Sequence, residues 1–198
     1  MPMFAIIDIE TTGGSPVNEK ITEIAVFIHD GDKLIDEYTS LINPEKKIPY
    51  HITSLTGITN AMVADAPKFY EVAKEIVELT ENCVFVAHNV SFDYQFVRNE
   101  FKRLGYTYTR DKLCTVQLSR RLIPGLPSYS LGKICTELDI RIHGRHRAGG
   151  DAYATVKLFE HLLGLSKDKD NHATLNREPD SKLLNPNLDI SILKKLPE

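Results

Sequence analysis

The sequence predicts a single α/β domain in which a mixed central β-sheet is flanked by α-helices. Residues 4–7 and 83–87 are apolar runs without helical spacing, as is typical of strands that are buried on both faces of a sheet. Other stretches repeat apolar residues every three or four positions, as amphipathic helices do. The chain of 198 residues, 42% of them hydrophobic, is long enough for one such domain and a tail.

The first half of the chain predicts a strand meander, a loop and a helix. The meander is antiparallel, because residues 30–32 (Asp-Gly-Asp) form a turn between its second and third strands. Pro44 and Pro49 exclude a regular strand in the loop that follows, and Pro67 opens the helix. The predicted elements are a strand from Phe4, strands over 20–29 and 33–42, a loop over 43–58 and a helix over 68–80.

The second half of the chain predicts two short strands and four helices. Ser91 and Ser130 are the predicted N-caps of two of these helices, because each precedes an apolar-periodic stretch. Residues 139–147 form a basic loop that contains two histidines. The predicted strands cover residues 83–87 and 112–114, and the helices cover residues 91–104, 115–122, 131–138 and 148–163.

The composition changes from Ser166 onward. The remaining residues are rich in Asp, Asn, Lys and Pro, and only residues 183–196 offer scattered apolar side chains. We therefore expect a domain over residues 1–165 and a polar linker or tail over residues 166–198, with one docking segment in that tail.

Composition also restricts the class of protein. No membrane segment or signal peptide is expected, because the first apolar run is only four residues long and acids follow it. Cys83, Cys114 and Cys135 follow no metal-ligand pattern, which indicates core thiols in a reducing cytoplasm. The net charge is −3, yet residues 98–147 hold 11 Lys and Arg against 4 Asp and Glu. That segment could face a polyanion or could be an ordinary solvated surface.

Two acids follow the first predicted strand. Asp8 and Glu10 are two residues apart on a strand, so their side chains point the same way and their Cα atoms lie roughly 7 Å apart. Like charges at the edge of a core repel one another and lose hydration, and a hard divalent cation relieves both effects. The alternative is a solvated strand end that leads into a Thr-Thr-Gly-Gly turn.

A third acid, Asp93, falls in the first turn of the predicted helix that begins near Ser91. A carboxylate there commonly serves only as a favourable partner of the helix dipole. If the strand before this helix runs parallel to the first strand, however, Asp93 emerges at the same edge of the sheet as Asp8 and Glu10. Both interpretations stay open.

A fourth acid, Asp151, lies on or beside the apolar stripe of the last predicted helix. An unpaired carboxylate against apolar surface is costly, so a shared metal explains the residue, with an ion pair to Arg147 as the alternative. His146 lies in a glycine-flanked loop, where a histidine can take a proton from a water near neutral pH. His88 and His143 compete for that role, and a plain surface histidine is the simpler alternative.

Three motifs occur in order at residues 8–13 (DIETTG), 88–93 (HNVSFD) and 146–152 (HRAGGDA). Together they resemble the motifs of the DEDDh exonucleases, the family of the proofreading epsilon subunit of bacterial DNA polymerase III. The likeness covers roughly residues 4–163 and implies a ribonuclease H-like fold. The first motif alone is weak, because its Asp-x-Glu-x-Thr also resembles the Asp-x-Asp-x-Thr of haloacid dehalogenase-type phosphatases.

The resemblance implies a two-metal mechanism. Two Mg²⁺ or Mn²⁺ ions, which lie roughly 3.5–4 Å apart in such sites, would be held by four acids. His146 would deprotonate the attacking water, and nucleoside 5′-monophosphates would leave one at a time from the 3′ end. The implied metal ligands are Asp8, Glu10, Asp93 and Asp151.

The family likeness also implies which residues contact the substrate. The terminal nucleotides would meet the end of the first motif and the end of the loop over residues 50–58. Ile58 would wedge against the terminal base, or else it anchors its loop in the core. The implied substrate-binding residues are Thr11, Thr12, Gly57 and Ile58.

The expected function is therefore a 3′–5′ exonuclease that acts on single-stranded DNA ends in proofreading or repair. One alternative is an exoribonuclease for short RNA or RNA 3′ ends, since the two differ only in accepting the 2′-hydroxyl. A second alternative is a non-catalytic nucleic-acid-binding module. The expected partner is nucleic acid, and the tail could bind a polymerase or a sliding clamp. Alternatively, the tail leads to a C-terminal domain, because residues 195–198 resemble the lead-in of GIY-YIG endonuclease domains.

Overall fold

The structure is a computed structural model that describes residues 2–173, with side chains described through residue 166. Its strands are β1 (Met3–Thr11), β2 (Ile21–His29), β3 (Leu34–Leu41), β4 (Cys83–Ala87) and β5 (Lys112–Cys114). They form one sheet in the order β3-β2-β1-β4-β5. β2 is antiparallel to β1 and β3, whereas β1, β4 and β5 run parallel. The sheet is mixed, as predicted.

Helices cover both faces of this sheet. They are α1 (Tyr50–Thr56), α2 (Asn60–Val63), α3 (Phe69–Leu79), α4 (Val90–Arg103), α5 (Thr115–Leu122), α6 (Leu131–Glu137) and α7 (Ala148–Ala173). One core cluster joins the sheet to α3 and α4, and a second joins the other face to α5, α6 and α7. The predicted α/β fold class is confirmed.

The alternation of side chains along β1 decides where its acids point. Phe4 and Ile6 pack in the cluster that contains α7, whereas Ala5 and Ile7 pack in the cluster that contains α3 and α4. Side chains on a strand alternate between faces, so Asp8 and Glu10 continue the row of Phe4 and Ile6. These two acids therefore lie on the side of the sheet from which Asp151 approaches.

Residues 43–58 were predicted to be a loop, but they contain α1. Pro49 occupies the N-cap position of α1, and Gly57 ends the helix with a left-handed backbone at φ 74°. The prediction is wrong because proline before a first turn and glycine after a last turn mark helix ends as well as loops. The sequence-based elements also omitted α2, whose first turn is capped by the Thr59 hydroxyl.

The start of α4 also differs from the prediction. The helix begins at Val90, so Ser91 lies inside its first turn and not at the N-cap. Asn89 occupies the N-cap with φ 74°, a left-handed conformation that asparagine tolerates better than most residues.

The last helix is longer than predicted. α7 continues to Ala173, so residues 166–173 are helical although their polar composition indicated a tail. These residues include neither glycine nor proline, the two residues that most disfavour the interior of a helix. The rest of the predicted tail, including its docking segment, lies outside the described residues.

Two expectations about composition can be compared with the structure. Cys83, Cys114 and Cys135 are buried free thiols, as predicted. Over residues 2–173, every helix is too short or too polar to cross a bilayer.

Candidate active site

Three acids come together at the carboxyl end of β1. Asp8 and Glu10 leave the strand side by side, and Asp151 approaches from the first turn of α7. One carboxylate oxygen of each residue lies within 4.8 Å of the other two. All three residues are partly exposed, so the cluster is reachable from solvent. A set of closely spaced carboxylate oxygens is the donor set that Mg²⁺, Mn²⁺ or Ca²⁺ prefers.

Asp93 reaches the same edge from the opposite face of the sheet. β4 is parallel to β1, and α4 begins just after β4, so the first turn of α4 lies beside the end of β1. Asp93 is only 5% exposed, and the backbone of Ile9 on β1 is near enough to lower the pKa of its carboxyl group. The parallel strand on which the metal interpretation of Asp93 depended is therefore present.

Burial raises the pKa of all four acids at this edge, and repulsion by neighbouring acids adds to the rise for Asp8, Glu10 and Asp93. Loss of hydration is the largest cause of the raised pKa of Asp8, followed by the charges of Asp93 and Asp151. Burial likewise raises the pKa of Glu10 to about 7 and that of Asp93 to about 8. The pKa of Asp151 is raised for the same first reason. A cation would favour the ionised forms, so the cluster has the electrostatics of a metal site.

The backbone of His146 is tied to this cluster. Its N–H donates a 3.0 Å hydrogen bond to Oδ2 of Asp151. His146 has φ 60°, a left-handed conformation that histidine adopts only uncommonly. The predicted general base is thus held one hydrogen bond away from a predicted metal ligand.

Gly150 allows the loop before α7 to fold back on the helix. A Cβ atom at this position would overlap the carbonyl oxygens of His143 and Gly144. Glycine is therefore required for the close approach of the loop backbone to the first turn of α7. This constraint explains one half of the Gly-Gly pair in the third motif.

The two competing histidines have other roles in the structure. Nδ1 of His88 lies 2.9 Å from Oγ1 of Thr115, and its Nε2 lies 2.9 Å from the carbonyl oxygen of Tyr129. Burial lowers the pKa of His88, and both ring nitrogens already have partners. His143 is exposed and contributes its carbonyl oxygen to the loop crossing. Of the three histidines, His146 is the one whose backbone N–H bonds an acid of the cluster.

A fifth acid near the site was missed from sequence. Glu23 lies directly opposite Glu10 in the β1–β2 register and is 3% exposed. Its carboxylate accepts hydrogen bonds from the guanidinium of Arg147 and from the backbone N–H of Ala148. The alternative that paired Arg147 with Asp151 is therefore wrong. An acid inside the otherwise apolar second strand was the available signal.

The four predicted substrate-binding residues do not form one surface. Thr11 and Thr12 are buried, and their hydroxyls bind within the chain, to the Gly13 carbonyl oxygen and to Glu19. Gly57 is exposed at the end of α1.

Ile58 is fully buried in a small cluster with Ile48 and Val63. That cluster lies beneath α1 and α2, which sequence analysis did not predict. The structure supports the interpretation of Ile58 as a core anchor, since a side chain in this position presents no surface to a base.

A protein-family model matches most of the domain that carries these residues. A family described as Exonuclease matches residues 5–159, which contain all the acids above. The chain belongs to this exonuclease family. The resemblance predicted from the three motifs is confirmed at the level of the family.

Two proteins that are similar in sequence are much longer than this chain. The chain is 37% identical over 199 residues to a PolC-type DNA polymerase III of Caldanaerobacter subterraneus, covering 97% of this chain and 14% of that protein. It is 40% identical over 162 residues to the 3′-5′ exonuclease DinG of Bacillus subtilis, covering 81% of this chain and 17% of DinG. The chain thus spans less than a fifth of these relatives.

A solved structure matches over nearly its whole length. Exonuclease X, in complex with 5′ overhanging duplex DNA, superposes with a TM-score of 0.68 and 29% identity. The match covers 84% of this chain and 93% of that chain. The predicted fold is shared with this exonuclease.

Proposed function

We propose that this chain is a metal-dependent 3′–5′ exonuclease that shortens single-stranded DNA ends and releases nucleoside 5′-monophosphates. The observation that carries the proposal is the meeting of Asp8, Glu10 and Asp151 within 4.8 Å at one edge of the sheet. A phosphodiester could approach this edge from solvent, because the three acids are partly exposed.

The donor set fits two Mg²⁺ or Mn²⁺ ions. Asp8, Glu10, Asp93 and Asp151 offer carboxylate oxygens alone, which hard divalent cations prefer over softer metals. Their pKa values are raised, and a bound cation would lower these values by favouring the ionised carboxylates. Bound ions would lower the pKa of an attacking water and stabilise the leaving oxygen.

The residues of the chain would supply the remaining chemistry. His146 would accept the proton of the attacking water, since it stands beside the acids and its competitor His88 is engaged elsewhere. Asp151 would act twice, because one of its oxygens accepts the N–H of His146 and so fixes the loop that carries the base.

Two features support a single-stranded DNA substrate. Tyr50 is 87% exposed and Leu55 is also exposed, both on α1, where an unpaired base could stack. The similar proteins include a 3′-5′ exonuclease and an exonuclease solved with DNA, which support the direction and the sugar. An RNA substrate is the competing outcome of the test.

Digestion of matched 5′-labelled DNA and RNA oligonucleotides would test this proposal. We expect a ladder that shortens from the 3′ end with Mg²⁺ or Mn²⁺, disappears with EDTA and is absent in Asp8→Ala. Faster cleavage of RNA would replace the DNA assignment with the exoribonuclease alternative. Absence of cleavage under every metal would favour a non-catalytic binding module and would refute the proposal.

We also propose that the chain works with replication proteins in the cytoplasm. The similarity to a polymerase III relative supports this proposal, although the predicted docking segment lies outside the described residues. Binding to purified polymerase and sliding clamp, with and without residues 174–198, would test it. Equal binding by both forms would move the contact to the folded domain, and no binding by either would reject the partnership.

A further inference from the structure

The acid that sequence analysis missed shares the site edge but not the donor set. Both oxygens of Glu23 are already used. Nε of Arg147 lies 3.1 Å from Oε1 and 3.0 Å from Oε2, and the N–H of Ala148 donates to Oε2 at 2.8 Å. Nη2 of Arg147 also bonds Oε1. Glu23 is therefore engaged by the third motif and is not free to bind a metal.

The two groups that Glu23 holds follow His146 directly in the chain. Arg147 and Ala148 are fixed on β2 by Glu23, while the N–H of His146 is fixed by Asp151. His146 thus stands between two anchors that come from different elements. Its left-handed φ of 60° is unfavourable for a residue with a side chain, so this backbone needs such anchors.

An acid at position 23 has an electrostatic disadvantage. Its charge contributes to the raised pKa values of Asp8 and Glu10, so it works against ionisation of the cluster. A neutral side chain would remove this repulsion but could not form a charged, two-oxygen contact with a guanidinium. A glutamate at position 23 therefore holds the loop in place, although its charge repels Asp8 and Glu10.

We infer that Glu23 is a positioning residue, which acts through Arg147 and Ala148 to aim His146 at the metal site. This inference rests on the proposed function, because it assigns Glu23 to the same reaction. The pair links β2 to the start of α7 across 124 positions of sequence. It would set how well the base is aligned without contacting substrate.

A variant cycle between Glu23 and His146 tests the inference. Glu23→Gln should lower kcat about 10²-fold with little change in KM, since small displacements of a catalytic group have effects of this size. In a His146→Ala background the same change should cost less than about 2-fold, because the residue that it positions is gone. Arg147→Gln should behave like Glu23→Gln in both backgrounds.

Two measurements separate positioning from a general structural role. Hydrogen exchange over residues 144–149 in the metal-free protein should become faster in Glu23→Gln, and calorimetry should show Mn²⁺ bound with the wild-type stoichiometry, because Glu23 is not a ligand. The matched control is Glu100→Gln, another 3% exposed glutamate in an ion pair, which should show no coupling to His146. Equal losses of rate in both His146 backgrounds, or a wild-type rate in Glu23→Gln, would overturn the inference.

Failure of the proposed function would look different. If the wild-type chain cleaved neither DNA nor RNA, the nuclease assignment would fall, and the role of Glu23 in aligning a catalytic base would fall with it. The exchange experiment would still decide whether Glu23 anchors the loop. If the wild type cleaved and the cycle showed no coupling, only the inference about Glu23 would fail.

Discussion

Two regions of the molecule bury acids in opposite ways. On α4, Glu100 accepts contacts from Lys20 Nζ at 3.3 Å and from Arg103 Nη1 at 2.9 Å, so protein cations balance its charge. At the edge of β1, none of the acids forms a salt bridge with a described side chain; these acids are Asp8, Glu10, Asp93 and Asp151. Glu100 is 3% exposed and Asp93 is 5% exposed, so burial alone does not distinguish the two regions.

The difference teaches how a functional acid can be recognised. The charge of Glu100 is balanced within the chain by the cations of Lys20 and Arg103. The acids at the end of β1 lack such partners, and burial together with neighbouring acids raises the pKa values of Asp8, Glu10 and Asp93. A buried acid without a protein cation is therefore the better candidate for chemistry.

The largest effect of a substitution is expected among the acids at the end of β1. Asp151→Asn should lower turnover by about 10³-fold or more, since a lost metal ligand removes roughly 4 kcal/mol of transition-state stabilisation. An amide oxygen can still accept the N–H of His146, so the loop should keep its place. The unfolding temperature of the metal-free protein should be unchanged or higher, because one of the acids that repel each other has been neutralised.

Steady-state cleavage and calorimetric unfolding would measure the two effects of Asp151→Asn. Asp36→Asn, an exposed acid on β3, is the control and should match the wild type in both. Wild-type turnover in Asp151→Asn would remove Asp151 from the site and with it the contrast between the regions.

At Glu100 we expect the reverse, a loss of stability without a loss of turnover. Glu100→Gln leaves Lys20 and Arg103 without their anion and should lower the free energy of unfolding by roughly 2–3 kcal/mol. Turnover should be preserved at temperatures where the variant is folded. Denaturant unfolding would measure the loss, and Glu78→Gln, in an exposed pair with Lys74, should cost less than about 0.5 kcal/mol. A loss no larger than in Glu78→Gln would mean that Glu100 is not held as the structure indicates.

The two regions also differ in how far sequence could predict them. The acids of the cluster follow local patterns, because a strand period of two pairs Asp8 with Glu10 and a helix start carries Asp93. Asp93 meets Asp8 and Glu10 because β1 and β4 are parallel, as one interpretation of Asp93 required, whereas Asp151 reaches them through the packing of α7 on the sheet. The sheet and the site edge were therefore predictable from short stretches of chain.

Contacts between distant elements were not predictable in this way. Glu23 and Arg147 are 124 positions apart, and their pairing depends on the β1–β2 register and on the place where α7 begins. Ile58 had two interpretations, and the core one became decidable only when α1 and α2 supplied the cluster around it. Sequence periodicity describes one element at a time, whereas these residues are defined by two.

The smallest effect is the pH dependence of the metal-free protein, and it probes the acids at the end of β1 directly. The folded-state pKa of Glu10 is raised from 4.5 to about 7 and that of Asp93 to about 8. An acid with a raised folded-state pKa stabilises the fold below its unfolded pKa and loses that contribution as pH rises through the folded value. Metal-free stability should therefore fall between pH 6.5 and 8.5, by roughly 2 kcal/mol after solvent screening.

The window begins at pH 6.5 for a reason. Burial lowers the pKa values of His29 and His88, so their contributions change with the opposite sign at lower pH. Thermal unfolding in EDTA across the window would measure the fall, and Glu10→Gln should make it shallower. Mg²⁺ should oppose it, because an ion that binds only the folded state stabilises that state by mass action. Stability in EDTA that rose with pH would show that these acids are not desolvated, and the contrast with Glu100 would be lost.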